Sequence, residues 1–133
     1  MEFDDQSYEV IGAAMEVHNE LGPGLREKPY ENAMLIALRS KGFSIEAQKA
    51  YPIYFRDQIV GDCIPDITVD SDFLIDAKSI DTLSHNEIAQ MLNYLRIAEL
   101  EVGLVIHFKN PKLEWKRVVL GRQKADSIAD QQD

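Results

Sequence analysis

Helical periodicity marks three segments of the chain. Apolar residues recur at intervals of three and four over 8–21, and Gly22-Pro23-Gly24 ends that pattern. A second apolar stripe begins at 29 or 30 and runs to 40, with Pro29 suited to the first turn of a helix. A third begins at Ser84, where Glu87 completes a capping box ahead of an apolar stripe. The pattern therefore predicts two N-terminal helices and one helix much later in the chain.

Strand periodicity marks five further segments, which carry β-branched and aromatic residues: 44–55, 59–69, 73–80, 102–108 and 114–120. The predicted order is α-α-β-β-β-α-β-β. This is an α/β (α+β) domain in which the third helix crosses over between strands. We expect one domain over 1–124 and a disordered tail over 125–133, which is acidic and rich in glutamine.

A short turn at 70–72 sets the register expected between the second and third strands. If Val69 faces Phe73 across an antiparallel hairpin, then Asp66 lies opposite Asp76. Because side chains alternate along a strand, one face then carries Ile67, Val69, Phe73, Ile75 and Ala77, and the other carries Asp66, Thr68, Asp76 and Lys78. The first face is entirely apolar, which supports the register because a slip of one residue would break it.

Two opposed carboxylates repel each other unless a cation or a proton lies between them. Carboxylate oxygens hold a hard cation such as Mg²⁺, and a neighbouring lysine can orient water or stabilise charge on phosphorus. Pro65-Asp66 followed by Asp76-Ala77-Lys78 is therefore the pattern that a magnesium-dependent phosphodiester hydrolase requires, with Mn²⁺ as a substitute. A solvated hairpin with an acidic polar side explains the same residues, and the hairpin alone leaves both explanations open.

The overall composition narrows the function classes. The chain has 133 residues, a net charge of −9 and one cysteine, which excludes an intrachain disulfide and a cysteine-based zinc site. No segment approaches the length of a membrane span and the N-terminus is acidic, so we expect a cytoplasmic protein. The net negative charge argues against strong non-specific binding to nucleic acid, because such binding depends on the neutralisation of phosphates. Six Lys and Arg residues between 107 and 124 form either a basic surface that binds the phosphates of a nucleic acid or a solvated strand edge.

A series of ordered blocks spans most of the chain. They are Val17-His18-Asn19-Glu20-Leu21-Gly22-Pro23-Gly24, Gly24-Leu25-Arg26-Glu27-Lys28-Pro29-Tyr30, Pro65-Asp66, Asp76-Ala77-Lys78, 89–95 and 102–106. Together they resemble the GxxExxY family, a branch of the PD-(D/E)XK nuclease superfamily, over about 8–120. The resemblance implies a restriction-endonuclease-like core, in which helices flank a mixed β-sheet.

The resemblance also implies a site. Asp66, Asp76, Lys78 and Gln90 would be the catalytic residues, and Asp66, Asp76, the Ala77 carbonyl and Glu31 would hold the metal. Glu31 lies at a spacing before Gly42 similar to that of the helix glutamate in archaeal junction-resolving nucleases. Glu27 is the acid of the name motif, and we assign it a supporting role. For both glutamates the alternative is an acid favoured by the helix dipole in a first turn.

The remaining assignments are supporting ones. Gln90 either holds water or a phosphate oxygen or is a boundary glutamine of an amphipathic helix, and Tyr94 and Tyr30 support the site or pack beside it. His18 suits a general base because imidazole titrates near neutrality, yet we favour a histidine that caps or packs at the end of its helix. Relatives carry glutamate where this chain has Asp76, and the superfamily accepts either acid.

Two functions follow. The first is a metal-dependent nuclease that hydrolyses phosphodiester bonds, with nucleic acid as its substrate and DNA or RNA undetermined. The second is a catalytically weak or inactive nuclease-like fold that binds protein or nucleic acid. A homodimer and a protein partner are compatible with either function. Joint presence of two opposed aspartates and a lysine favours the enzyme, because a binding module has no need of all three.

Overall fold

The computed structural model describes residues 2–121, with side chains from residue 6 onward. Within them the chain forms three helices, α1 (Glu2–Leu21), α2 (Glu27–Ser40) and α3 (His85–Ala98). The tail predicted over 125–133 lies outside the described residues. None of the helices in the described part has the length and hydropathy that a bilayer-spanning helix needs.

The observed starts of α3 and α2 differ in how well they match the prediction. The predicted capping box of α3 is confirmed, because the Ser84 hydroxyl accepts from the Asn86 amide and Glu87 accepts from the Ser84 amide at 2.7 Å. Helix α2 begins at Glu27, ahead of the predicted start at 29 or 30, so that prediction was wrong. Pro29 is tolerated inside the first turn, since amides there have no intrahelical partner. The correction places Glu27 on the helix.

Two predicted strands each divide in two. The strands of the described residues are β1 (Ile45–Ala47), β2 (Tyr51–Phe55), β3 (Gln58–Cys63), β4 (Ile67–Val69), β5 (Phe73–Lys78), β6 (Val102–His107) and β7 (Glu114–Val119). The order is therefore α-α-β-β-β-β-β-α-β-β, with two strands more than predicted. The first break follows from Gln48, whose φ of +56° turns the chain between β1 and β2.

The main sheet has five strands in the order β1-β4-β5-β6-β7. Strands β5 and β6 are parallel and the other neighbours are antiparallel, so the sheet is mixed. Helix α3 connects β5 to β6, as predicted for a crossover. Helices α1 and α2 pack on one face of the sheet and α3 on the other, which gives two apolar clusters. The predicted fold class is confirmed.

The predicted register of the β4–β5 hairpin is confirmed. Val69 pairs with Phe73 and Ile67 with Ile75, and the predicted apolar face is buried against α1 and α2. The opposite face lies beneath α3, where Leu74 belongs to the second cluster. Asp76, on that face, is only 4% exposed. The acidic side of the hairpin is therefore covered by protein, and the explanation of a solvated acidic hairpin is wrong.

Strands β2 and β3 form a separate two-stranded sheet, which we name the arm (residues 51–63). Its turn consists of Arg56 and Asp57, with φ of +52° and +66°, the left-handed pair that matches the twist of a two-residue hairpin. At its base, the Tyr51 hydroxyl lies 2.9 Å from the Thr68 hydroxyl of β4. The arm thus rises from the face of the sheet that carries the two aspartates.

Candidate active site

The two aspartates of the hairpin hold each other through the backbone. The Asp66 amide donates to Oδ1 of Asp76 at 3.0 Å, and the Ala77 amide donates to Oδ2 of Asp66 at 2.8 Å. Each carboxylate is therefore fixed by the strand that carries the other. The register predicted from the apolar face brings these two side chains together at the start of β4 and the end of β5. Backbone donors are the means by which a strand pair can keep two negative groups close.

Burial changes the acidity of both carboxyl groups. Burial, and then the charge of Asp76, raise the pKa of Asp66 to about 7, although the Ala77 amide and Lys78 oppose the rise. Burial also raises the pKa of Asp76, against the opposing effects of the Asp66 amide and Lys78. The two groups titrate as a pair. The pair therefore has more negative charge than its surroundings neutralise, and it favours a proton or a cation.

Lys78 lies beside this pair and is bonded to α3. Its Nζ is 3.4 Å from Oδ2 of Asp76 and donates to Oε1 of Gln90 at 2.8 Å. The lysine side chain is 18% exposed, so its amine is held by these two acceptors at the margin of solvent. The structure thus connects all four predicted catalytic residues in one chain of contacts, from Asp66 through Asp76 and Lys78 to Gln90.

Glu31 approaches the pair from α2 but is bonded elsewhere. It is buried, and its carboxylate accepts from the Gln48 side chain and lies 3.5 Å from Nζ of Lys28. The Gln48 amide in turn donates to the Asp66 carbonyl at 2.9 Å. The charge of Glu31 contributes to the raised pKa of Asp66. Glu31 is therefore near the site without direct contact with either aspartate.

Glu27 contacts the backbone just beyond Lys78. Its Oε2 accepts from the Ser79 amide at 3.2 Å, and the Ser79 hydroxyl donates to the Leu25 carbonyl. The charge of Glu27 also contributes to the raised pKa of Asp76. The loop before α2 and the first turn of that helix thus hold the residue that follows the lysine.

Tyr30 holds the loop between α1 and α2 in place. Its hydroxyl donates to the Gly22 carbonyl at 2.6 Å and accepts from the Leu25 amide at 3.0 Å. Its ring is fully buried and stacks on Phe108 with centroids 4.4 Å apart. The Phe108 amide donates to the Lys78 carbonyl at 2.9 Å. Tyr30 therefore connects the glycine-rich loop to the strand end that carries the lysine.

The other predicted supporting residues differ in position. Tyr94 lies one turn after Gln90; burial and then the charges of Asp76 and Asp66 raise its pKa to about 12. It also packs against the apolar cluster beneath α3. His18 is not brought to the aspartates. Its Nε2 contacts the Asn110 carbonyl at 2.9 Å, which ties α1 to the turn between β6 and β7.

Sequence reasoning missed two residues that shape the site. Gln48 links Glu31 to Asp66, and Ser79 links the first turn of α2 to β5. Glutamine is not a residue that favours a positive φ, so nothing at position 48 predicted the turn. Ser79 follows the lysine directly, and its role depends on a loop that is more than fifty positions away. Only the tertiary structure reveals either contact.

The donors fit a hard divalent cation in kind but are not assembled around one. Asp76 offers buried carboxylate oxygens and Asp66 half-buried ones, and together they have an excess of negative charge, which suits Mg²⁺ or Mn²⁺. In the part of the chain that the structure describes, no group of three or more His, Cys, Asp and Glu side chains is arranged to hold a metal. A third carboxylate from α2 would have to leave its contacts with Gln48 and Lys28 or with Ser79.

Among the solved structures compared with this chain, one supports the same fold. Four chains match, and one is an alkaline exonuclease from Laribacter hongkongensis, with a TM-score of 0.51, 16% identity and coverage of 78% of this chain. The match spans 60% of the exonuclease chain. A second is the protein SSO0001, with a TM-score of 0.47, 16% identity, and coverage of 77% of this chain and 59% of that one. No curated protein matches the sequence.

A family model gives a broader match. The model of the PD-(D/E)XK nuclease superfamily aligns with residues 4–118, which include every residue of the candidate site. Nucleases of that superfamily generally use divalent metal ions. The fold brings the motif residues together, with Asp66 immediately before β4 and Asp76 and Lys78 in the last three residues of β5. The chain belongs to the PD-(D/E)XK nuclease superfamily.

Proposed function

We propose that this protein is a divalent-metal-dependent nuclease that hydrolyses phosphodiester bonds of nucleic acid. The observation that carries the proposal is the Asp66–Asp76 pair, half-buried at Asp66 and buried at Asp76, with Lys78 bonded between Asp76 and Gln90. Two carboxylates face one ammonium at this point, so the pair has a net negative charge that a cation would balance. Within the superfamily this set of groups is the one that cleavage requires.

Each residue has a separate part in the proposed mechanism. Asp66, Asp76, the Ala77 carbonyl and Glu31 would hold Mg²⁺ or Mn²⁺, which when bound lowers the pKa of water and polarises a phosphate. Lys78 positions the attacking water or stabilises charge on the phosphorus oxygens. Gln90 holds the lysine amine by accepting a hydrogen bond from Nζ, which keeps Nζ beside Asp76.

We assign the chain to the GxxExxY branch on the contacts that its motif residues make. Glu27 accepts a hydrogen bond from the Ser79 amide, and Tyr30 accepts one from the Leu25 amide in the loop whose carbonyl binds the Ser79 hydroxyl. Ser79 directly follows Lys78, the proposed catalytic lysine. The motif would thus position the lysine strand rather than supply a metal ligand. Glu27 would be a positioning residue, and Glu31 the ligand from α2.

A direct comparison of the two glutamates tests this division. Glu31→Gln should weaken Mn²⁺ binding at least about tenfold, because it removes one charge from the metal site. Glu27→Gln should leave Mn²⁺ affinity within about threefold and lower kcat more than KM, because a misplaced lysine affects the transition state. The reverse pattern in the two variants would exchange their roles.

The second function, a binding module with little turnover, is favoured by one observation. Glu31 is bonded to Gln48 and Lys28, and the described residues hold no assembled group of three carboxylates. A module of this kind would bind nucleic acid or protein and leave phosphodiester bonds intact. Cleavage assays separate it from the enzyme.

The test uses short single- and double-stranded DNA and RNA with Mg²⁺ or Mn²⁺. Wild-type protein should cleave at least one of the four substrates and lose activity in EDTA. Lys78→Ala should lower cleavage by at least about a hundredfold while metal binding is retained. Lys41→Ala is the matched control, because that lysine pairs with Glu9 and Glu16 on the helical side of the molecule. Full cleavage by Lys78→Ala would overturn the assignment, and binding without cleavage by the wild type would favour the module.

A further inference from the structure

The arm exposes more large apolar side chains than any other part of the described chain. Five of the twelve exposed large hydrophobic residues of the described chain fall within eleven positions, four on the arm and one directly after it. We name them the arm surface: Tyr54, Phe55, Ile59, Val60 and Ile64. Their exposed fractions run from 42 to 65%. Single exposed apolar residues are ordinary on a protein surface, but a contiguous patch marks an interaction site.

The geometry of the arm makes this exposure a fixed property. Tyr54 and Ile59 are cross-strand partners, so their side chains share one face of the arm. At the base, Tyr51 bonds to Thr68 and packs into the cluster beneath α3. Within the described residues, each arm strand pairs only with the other, which leaves one backbone edge open on each. Open edges and an apolar face are both features through which chains associate.

The charge of the arm disfavours a polyanion as its partner. Residues 51–64 contain one basic residue, Arg56, and two acids, Asp57 and Asp62. The whole chain carries a net charge of −9. Binding to nucleic acid depends on the neutralisation of phosphates, which this surface does not supply. A protein surface is therefore the better fit.

The local charges of the arm and its apolar area both favour a second copy of the same chain. The net charge of −9 on each copy opposes association at long range and is screened by salt. Around a twofold axis, Arg56 of one copy can face Asp57 or Asp62 of the other, so the arm is complementary to itself. An aromatic side chain buries roughly 150–250 Å² when it leaves water, and a branched aliphatic side chain buries less. At the observed exposure, the arm surfaces of two copies would bury about 1,000 Å² together, which reaches the lower limit for a specific interface.

We propose that the arm is a homodimer contact, in which the arm surfaces of two copies pack against each other. Each copy would contribute Tyr54 and Ile59 to the centre of the interface, with Val60 and Ile64 beside them. Phe55 pairs with Gln58 on the other face of the arm and would lie at the margin of the contact. The proposal does not depend on catalysis, because it concerns the mass of the protein without substrate. Failure of the nuclease assays would leave it standing.

Sedimentation velocity of the full chain tests the proposal. Wild type should show twice the mass of the 15.1 kDa chain at about 50 μM. Ile59→Lys and Val60→Lys should each raise the dimer dissociation constant at least about tenfold, because a charge is placed in an apolar contact. Ile36→Lys is the matched control: Ile36 is 68% exposed on α2, Ile59 is 65% exposed on the arm, and the control should remain a dimer.

Three results would overturn the proposal. The first is a wild-type monomer at every concentration up to about 200 μM. The second is a dimer that Ile36→Lys dissociates and the two arm variants do not, which would place the contact on α1 and α2. The third is an unchanged dimer in which the arm variants weaken binding of a short single-stranded oligonucleotide, which would make the arm a nucleic-acid surface. Circular dichroism would verify that each variant is folded.

Discussion

Two consecutive hairpins of the chain differ in the side chains that they bury: one buries a charged residue and the other exposes apolar residues. In β4–β5 the charged residue Asp76 is 4% exposed, and in the arm the apolar residue Ile59 is 65% exposed. Both hairpins are antiparallel, and both have short turns. The difference lies in what covers them. Helices lie on both faces of β4–β5, whereas the arm leaves the sheet and is joined to the α3 cluster and to β4 at its base.

Each hairpin departs from the arrangement that stability alone would favour. Buried carboxylates with raised pKa destabilise the folded state at neutral pH, and exposed apolar side chains give no folding energy. Local departures of this kind are expected at functional sites, where the rest of the structure compensates. The comparison indicates chemistry at one hairpin and association at the other. Substitutions of the same type in both hairpins test that difference.

The largest effect is expected in the buried hairpin. Ile75→Ala removes a fully buried side chain between β5 and the α1–α2 layer, so it should lower the free energy of unfolding by about 2–5 kcal/mol. Urea unfolding followed by circular dichroism measures the change. A loss below about 1 kcal/mol would mean that this face of the sheet is less tightly packed than the structure indicates.

The next effect has the opposite sign. Asp66→Asn removes the carboxyl group whose pKa is about 7 and leaves Lys78 paired with Asp76. In EDTA at pH 8 it should raise the free energy of unfolding by about 2 kcal/mol, because one buried carboxylate then faces one ammonium. Added Mg²⁺ should stabilise the wild type and have little effect on the variant.

The Asp66 carboxyl group also makes the free energy of unfolding depend on pH. Between about pH 4 and pH 7 the folded state keeps a proton that the unfolded chain has released, so the free energy of unfolding falls as pH rises through that window. Urea unfolding of the metal-free wild type from pH 5 to 8 should show this decrease, and Asp66→Asn should largely remove it. A wild type whose stability rises over that range would contradict the assignment.

A smaller loss is expected in the loop that precedes α2. Tyr30→Phe removes a hydroxyl that bonds to Gly22 and Leu25 but keeps the ring stacked on Phe108. The free energy of unfolding should fall by about 1 kcal/mol, because a partly buried carbonyl and a partly buried amide lose their partner. Cleavage should fall further than stability explains, since the loop also holds Ser79. Melting curves and steady-state kinetics measure the two effects separately.

The smallest effect is expected on the arm. Ile59→Ala makes the same chemical change as Ile75→Ala, at a side chain that is 65% exposed instead of fully buried. Measured at low protein concentration, where association does not contribute, it should alter the free energy of unfolding by less than about 0.5 kcal/mol. A loss comparable to that of Ile75→Ala would show that the arm folds back against the domain.

The sequence predicted the parts of this structure that depend on local pattern. Apolar alternation gave the β4–β5 register, and with it the meeting of Asp66 and Asp76. The capping box gave the start of α3. The arm was missed because 44–55 and 59–69 each read as continuous strands, and nothing in the pattern indicated that the chain leaves the sheet at Gln48.

Contacts between distant segments were beyond prediction for a different reason. Glu27 and Glu31 could not be distinguished from sequence, because each is an acid in the first turns of the same helix. The structure gives Glu27 the Ser79 amide and Glu31 the Gln48 side chain, and both partners come from loops. Side-chain partners of this kind depend on how α2 docks against the sheet, which periodicity alone does not determine.

The most direct test of the account is calorimetric titration of Mg²⁺ and Mn²⁺ into the wild type and Asp76→Ala, alone and with a short oligonucleotide. The account predicts saturable binding to the wild type, which the oligonucleotide strengthens and which Asp76→Ala abolishes. Absence of binding to the wild type in both conditions, or equal binding to Asp76→Ala, would contradict the claim that the buried aspartate pair is a metal site.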